Sequence, residues 1–457
     1  MMIETRSEPR SVLRSALDAL RASRTSHADS WNAIGVFGVR AASAALLFLT
    51  QIAFARWMGA SEYGLYVTAW TCVVVLGGLA HLGFNVAMMR LAPQYAANRD
   101  YAAFRGLLKA GRQVALITSV LMAAVGVAVI TFFHFEQSAA LAVPLLIGLI
   151  SLPAYAVTDV QDGFGRGQGW TLDAIVPAYI IRPLAMLLFV GVVIIVGLSA
   201  DAVTAMTIAL VATVLSALLQ TVLIEKRVER EIPQASAASN YAKWFTISLP
   251  LLAGGICEII ILNADVLVLN FFRPSEEIGH YFAAAKTTGL ALFVLYAVAT
   301  AYAGRIAAAH TLGKTAEVQS YVGMAVRWTF IPAAIMTAGI LVIGYFVLAQ
   351  FGATFTDAYP LMFILAAGIM TKAAMGPSDT ILNMMGHQRA TALSLGASAL
   401  LAVTLNVILI PLWGVTGAAI ATSTSYAAMA VMNWYAVRRL EGLNLFILAN
   451  LKTPNQP

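Results

Sequence analysis

The chain has 457 residues, of which 60% are hydrophobic and only 11% charged, with a formal net charge of +6 and a mean hydropathy of +0.81. Soluble domains carry about a quarter of their residues as charges, so this composition excludes an ordinary soluble enzyme and describes a polytopic membrane protein. Cys72 and Cys257 both lie inside apolar runs, which leaves no disulfide framework or metal cluster. They are read as packing residues, and no metal, cofactor or nucleic-acid partner is expected.

Residues 1–30 form a basic tail with Arg6, Arg10, Arg14, Arg21 and Arg24. Leu13, Leu17 and Leu20 share a helical face there, which suits either a helix lying on an anionic membrane surface or a disordered segment. The apolar run from Trp31 to Ala55 is too long for a signal-peptide core and lacks a small-residue cleavage pattern, so it is read as a retained span. Runs of about 20 apolar residues cross a bilayer as helices, because only a helix satisfies its own backbone in hydrocarbon. Twelve are predicted, at residues 31–55, 65–89, 113–134, 139–160, 173–197, 202–224, 244–271, 279–304, 325–350, 358–384, 390–411 and 415–437. The basic linker 225–243 divides them into an N-terminal six-helix lobe (31–224) and a C-terminal one (244–437), followed by a tail at 438–457. With the amino terminus in the cytoplasm and Arg327 counted with the cytoplasmic segment it ends, 22 of the 28 Lys and Arg fall in cytoplasmic segments, four lie within spans, and only Arg56 and Arg273 face outward. That asymmetry sets the expected orientation, with both termini cytoplasmic.

The first polar turn, ARWMGASEYGLY at Ala55–Tyr66, is echoed by NFFRPSEEIGHY at Asn270–Tyr281. A shift of 215 residues superposes Glu62 on Glu277, Gly64 on Gly279 and Tyr66 on Tyr281. Asp159 with Gly165-Arg166-Gly167-Gln168 recurs as Asp379 with Gly386-His387-Gln388-Arg389. A fixed offset of half the chain points to internal duplication. Outward turns are too short to hold an acceptor and a catalytic carboxylate, and no phosphate loop, metal motif or nucleophile elbow is present. Gly163–Gly169, GFGRGQG, is read as a tight cytoplasmic hairpin.

Arg40, Arg182, Lys286 and Lys372 lie within predicted spans. A cation at mid-bilayer costs roughly 2.5 to 3.5 kcal/mol, so each is expected to face a wet cavity or a partner; together they suit an anionic headgroup. Glu258 and Asp265, seven residues apart on one face of the seventh span, are candidates for proton or sodium coupling. Asp265 is alternatively the fixed ion-pair partner of Lys286. Asp159 and Asp379 are read as headgroup-level capping residues. His81 and Asn85, one turn apart in the second span, either line a cavity or hydrogen-bond between helices. Pro250 before Gly254-Gly255 marks the seventh span as a candidate bending helix, or simply a kinked one.

Three stretches, ARWMGASEYGLY, NADVLVLNFF followed by IGHYFAAAKT, and NVILIPLWGVTGAAIATSTSY at Asn406–Tyr426, resemble the bacterial polysaccharide flippases of the multidrug, oligosaccharidyl-lipid and polysaccharide exporter superfamily. The resemblance implies two six-helix lobes around a cavity that opens alternately to each side. It further implies export of a polyprenyl-pyrophosphate-linked oligosaccharide across the inner membrane for cell-surface polysaccharide such as lipopolysaccharide or exopolysaccharide, with Arg40, Arg182, Lys286 and Lys372 facing the pyrophosphate. Membrane lipid, a polysaccharide polymerase and export machinery are the implied partners. The alternatives within the superfamily are a peptidoglycan lipid-precursor flippase and a proton- or sodium-coupled multidrug antiporter.

Overall fold

A single glycine separates the first two membrane passes. Gly59, at φ 79°, takes a conformation that costs a side-chain-bearing residue strain, and it stands between α1 (Ala42–Met58) and α2 (Ala60–Ala80). The predicted polar turn at residues 55–66 is therefore mostly helix; the chain reverses within one residue. In this computed structural model the described residues are Gly38, 42–132 and 139–450. Arg40, the basic tail and residues 451–457 lie outside them.

α3 (Phe84–Ala97), α4 (Tyr101–Phe132), α5 (Ala139–Gly167), α6 (Thr171–Val176), α7 (Arg182–Val196) and α8 (Ala202–Glu231) complete the first half. The second half holds α9 (Tyr241–Phe272), α10 (Ser275–Gly289), α11 (Leu292–Thr311), α12 (Thr315–Phe351), α13 (Tyr359–Ala374), α14 (Ser378–Met384), α15 (Gln388–Glu441) and the short α16 (Ile447–Asn450). Among the described residues, ten segments are long and apolar enough to cross a bilayer. One of them, α15, is two helices meeting at Gly414 (φ 56°, ψ −135°); counting both, and adding α1, gives the twelve passes expected. The helices overrun the predicted spans at one end, as in α4 and α12, because polar residues continue a helix past the hydrocarbon where water can solvate them.

Several passes are broken rather than continuous. The second is interrupted at His81–Gly83, where Leu82 and Gly83 have positive φ, the eighth between Gly289 and Leu292, and the tenth at Met375–Pro377, the break the Gly376-Pro377 pair predicts.

The two echoing motifs meet each other. A Cβ placed on Gly64 would lie 1.7 Å from the Ser275 carbonyl oxygen, and one on Gly279 would lie 2.6 Å from that of Ala60. The 215-residue shift carries Gly64 onto Gly279 and Ala60 onto Ser275, so these are one contact seen from each half, as at a local twofold axis. Glu62 acts elsewhere, on the first half alone. Its carboxylate accepts from Ala202 N at 2.8 Å, satisfying a free amide at the start of α8. Its counterpart Glu277 is paired with Arg273 at 4.0 Å, whose guanidinium packs against Gly414, where the last pass begins.

This end of the bundle, the gate end, has one core shared by both halves. It includes Phe54, Tyr63 and Tyr66 with Tyr281, Phe351 and Phe355, and Tyr63 meets Phe282, Phe351 and Phe355 edge-on. The opposite end, where residues 232–240 link the halves, has two separate cores. One joins α3, α4, α5 and α8 with Trp244 of α9, and the other is built from α11, α12, α14, α15 and α16. The halves thus share one core at the gate end and keep separate cores at the linker end, where the start of α9 packs into that of the first half.

The predicted tight turn falls at the end of GFGRGQG, where Gly169 (φ 76°) ends α5 and Trp170 N donates to Gly165 O at 2.8 Å, while the earlier glycines serve packing. Gly163 and Gly167 lie in α5, four residues apart, and let α3 approach: Cβ atoms there would stand 2.0 Å from Asn85 O and 2.9 Å from Met89 Cα. Gly163→Val is expected to destabilise the fold by roughly 1–3 kcal/mol through overpacking, seen as a lower thermal midpoint of the detergent-solubilised protein. Gly191→Val, where a Cβ meets nothing within 4 Å, should leave that midpoint in place.

Candidate functional site

Beneath the aromatic seal, a cleft of about 400 Å³ lies between the halves. Phe48, Gln51 and Trp70 face it from α1 and α2, and Asp265, Lys286 and Tyr426 from α9, α10 and α15. Lys286 is exposed in this cleft, its ammonium 4.8 Å from the Phe282 ring centroid. Arg182 stands behind the Trp70 wall, its guanidinium 5.6 Å from the Trp70 ring and 5.7 Å from that of Tyr155. The local backbone explains its placement. Between α6 and α7 the chain takes a π-helical turn at Pro177–Ile181, an extra-residue bulge of the kind that re-aims side chains at functional sites, and Arg182 follows directly.

Lys372 completes the set of described cations, with its ammonium 5.8 Å from the Tyr426 ring. None of Arg182, Lys286 and Lys372 forms an ion pair with a carboxylate among the described residues. Each leans instead on an aromatic face, which stabilises a cation by about 0.5–2 kcal/mol while leaving its charge available to an anion. Arg40 lies outside the described residues.

Asp265 is not the fixed partner of Lys286. Its carboxylate accepts from the Tyr281 hydroxyl at 2.5 Å, from Thr422 Oγ1 at 3.1 Å and from Val266 N at 2.8 Å. Neutral donors of this kind satisfy a buried carboxylate without cancelling its charge. The first half lacks the arrangement: the 215-residue shift places Thr50 opposite Asp265, and the hydroxyl of Tyr66, the counterpart of Tyr281, is buried with no hydrogen-bond partner among the described residues. The duplicated halves have diverged here.

Glu258 faces a second pocket, of about 220 Å³, together with Lys372 and Asp379; Leu262 and Tyr426 line both this pocket and the cleft. Glu258 and Asp265 thus point to neighbouring spaces from one helix, as their spacing predicts. Asp379 lies in the first turn of α14 and accepts from Thr380 N, but Pro377 is the N-cap and receives no side-chain hydrogen bond, so Asp379 does not cap the helix as expected. Asp159 departs from that expectation. α5 continues eight residues beyond it to Gly167, so it is an interior residue, and its carboxylate stands 4.0 Å from His81 Nε2.

His81 and Asn85 do not share a helical face, because the break at residues 81–83 falls between them. His81 is 5% exposed and its Nδ1 accepts from Gly83 N, so it closes the end of α2. Asn85 accepts from Val86 N, and its carbonyl is the surface on which Gly163 packs. Neither is brought to the cleft. Sequence reading missed Trp70, Tyr155, Phe282 and Tyr426, the aromatic supports of the cations. Their only sequence signal is aromatic character within an apolar run, which a packing residue shares.

Comparison with known proteins agrees with this architecture. The model of the polysaccharide biosynthesis protein family matches residues 32–310, more than half of the chain. A probable low-salt glycan biosynthesis flippase, Agl15 of Haloferax volcanii, is 26% identical over 204 residues, covering 44% of this chain and 41% of that protein. The match therefore spans about two-fifths of that relative's length. Among solved structures, a multidrug resistance MATE family transporter of the MOP superfamily in its inward-facing conformation superposes with a TM-score of 0.72 at 14% identity, covering 89% of this chain and 96% of that one. The lipid II flippase MurJ in an inward closed conformation gives 0.70 at 13% identity, covering 89% and 87%. These likenesses establish the fold. The chain belongs to the polysaccharide biosynthesis protein family, a multi-pass membrane protein built on the fold that the MATE transporters and MurJ share.

Proposed function

We propose that this protein is a flippase that carries polyprenyl-pyrophosphate-linked oligosaccharide repeat units from the cytoplasmic to the periplasmic leaflet of the inner membrane, for cell-surface polysaccharide synthesis. The observation that carries the reading is the set of aromatic-supported cations, without ion-pair partners among the described residues, in and beside a cleft closed at one end. Such a cleft attracts a diphosphate and offers it charge in a low-dielectric setting. The name of the Haloferax volcanii relative, a glycan biosynthesis flippase, supports the same substrate class. Arg40, Arg182 and Lys286 are the proposed pyrophosphate-binding set, with Lys286 at its centre, and Lys372 is the proposed substrate contact at the neighbouring pocket.

The Lys and Arg excess at the linker end supports a cytoplasmic position for that end, and the shared core at the gate end supports an inward-facing state. Transport follows by rocking of 31–224 against 244–437. Asp265, ringed by neutral donors, is the proposed site for a coupling proton or sodium ion, and Glu258, which shares its pocket with the Lys372 ammonium, for a coupling proton. A polymerase is the proposed consumer of the flipped product.

Proteoliposomes provide the test. A fluorescent polyprenyl-pyrophosphate oligosaccharide should cross with the protein at a rate well above that of empty liposomes. Flux confined to peptidoglycan precursor would favour that flippase instead, and uptake of an organic cation without any lipid-linked sugar would identify an antiporter.

A further inference from the structure

The second pocket has a chemistry unlike that of the main cleft. Glu258, Lys372, Asp379, Asn383, Thr391 and Asn433 converge on it. Four of these side chains, Glu258, Lys372, Asn383 and Thr391, make no hydrogen bond among the described residues. The Thr391 hydroxyl is buried without a partner, although buried polar groups are as a rule satisfied. Ser394 and Asn433, by contrast, are bonded to each other, which fixes that wall. The Tyr426 ring closes the side towards the main cleft, and the Lys372 ammonium rests against it.

Charge discriminates between ligand classes. Two carboxylates against one ammonium repel a phosphate, so the pyrophosphate is not drawn here. An ammonium standing among the carboxylates equally opposes a bare metal ion. What remains is a neutral group that both donates and accepts many hydrogen bonds and has an apolar face for an aromatic ring. A pyranose has that pattern: hydroxyls for carboxylates, carboxamide, hydroxyl and ammonium, and C–H groups for Tyr426. The space, about 220 Å³, is on the scale of one such ring.

We propose that this pocket in the second half is a monosaccharide subsite, which holds one uncharged sugar ring of the transported glycan while the pyrophosphate occupies the adjoining cationic cleft. The assignment rests on the flippase reading above, and it divides the substrate between two neighbouring spaces that share Leu262 and Tyr426. Charge in the cleft then selects for lipid pyrophosphates in general. The pocket selects among them by sugar.

The test compares binding of a short-chain prenyl pyrophosphate without sugar to that of the same compound carrying glucose, galactose or N-acetylglucosamine, measured on the purified full chain in detergent. The parent should bind at least one sugar-bearing compound about tenfold more tightly than the sugarless one. Asn383→Ala and Thr391→Val, which remove no internal side-chain hydrogen bond among the described residues, should each reduce that advantage to within about twofold and leave the sugarless affinity where it was; that unchanged affinity also reports an intact fold. A parent that binds the sugarless compound but gains nothing from any sugar, or an advantage that survives both substitutions, overturns the pocket assignment alone. If the parent does not bind the sugarless pyrophosphate at all, the flippase reading fails and the subsite falls with it.

Discussion

Joining Ser61→Cys to Ser275→Cys should produce a disulfide across the gate end and stop transport. The two hydroxyls are 3.1 Å apart, and the helices that carry them approach backbone to backbone at Gly64 and Gly279, so two sulfurs at about 2.0 Å require only a small adjustment. Oxidised double-cysteine protein is expected to lose at least about 90% of its flux into proteoliposomes, because the exit between α2 and α10 cannot part. Reductant should return it, and each single-cysteine variant should transport normally under both conditions. A background lacking Cys72 and Cys257, the two native thiols, removes ambiguity. Undiminished flux in the fully crosslinked protein would falsify rocking about this contact, whatever the substrate proves to be.

The second large effect concerns Lys286. Replacing it by glutamine keeps the length and removes the charge from the centre of the cleft, and loss of one partner from a buried charge-assisted contact costs about 2 kcal/mol or more. Affinity for the pyrophosphate-bearing lipid should therefore fall roughly 30-fold, with flux falling alongside. Lys286→Arg should retain most of both, since the charge survives and Phe282 supports a guanidinium equally well. Asp265 makes its hydrogen bonds to Tyr281, Thr422 and its own helix rather than to Lys286, so the glutamine variant should fold normally. An unchanged affinity would remove Lys286 from the binding set.

Much of this is legible in the sequence because hydrocarbon imposes a simple rule on backbones. Runs of apolar residues form helices, and the echo between residues 55–66 and 270–281 forms a symmetric crossing. The cations that look expensive at residues 182, 286 and 372 do stand without ion-pair partners among the described residues. The misreadings share one cause, which is that hydropathy does not report where a helix breaks or what it touches. His81 and Asn85 are separated by two residues of positive φ that no apolar count reveals, and GFGRGQG is glycine-rich for two reasons, since Gly169 makes the turn while Gly163 and Gly167 give α3 room. Pairing Asp265 with Lys286 rests on depth alone. Tyr281, already in the repeated motif, supplies the bond instead.

The continuity of α9 has a mechanical side. Its beginning is fixed to the first half: Trp244 Nε1 donates to the Tyr95 hydroxyl at 3.0 Å, Phe245 meets Phe84 edge-on, and Gly83 presses on the Ser248 carbonyl. Its other end belongs to the second half through Asp265 and Thr422. Between these anchorages lie Pro250, with no amide to donate, and Gly254 and Gly255, around which a Cβ would meet nothing within 4 Å. A single unbroken helix clamped at each end to a different body behaves as a leaf spring. Relative rotation of the halves has to be absorbed as curvature over those few residues, so the stiffness of this short stretch sets how far the two bodies can swing and which resting posture they return to.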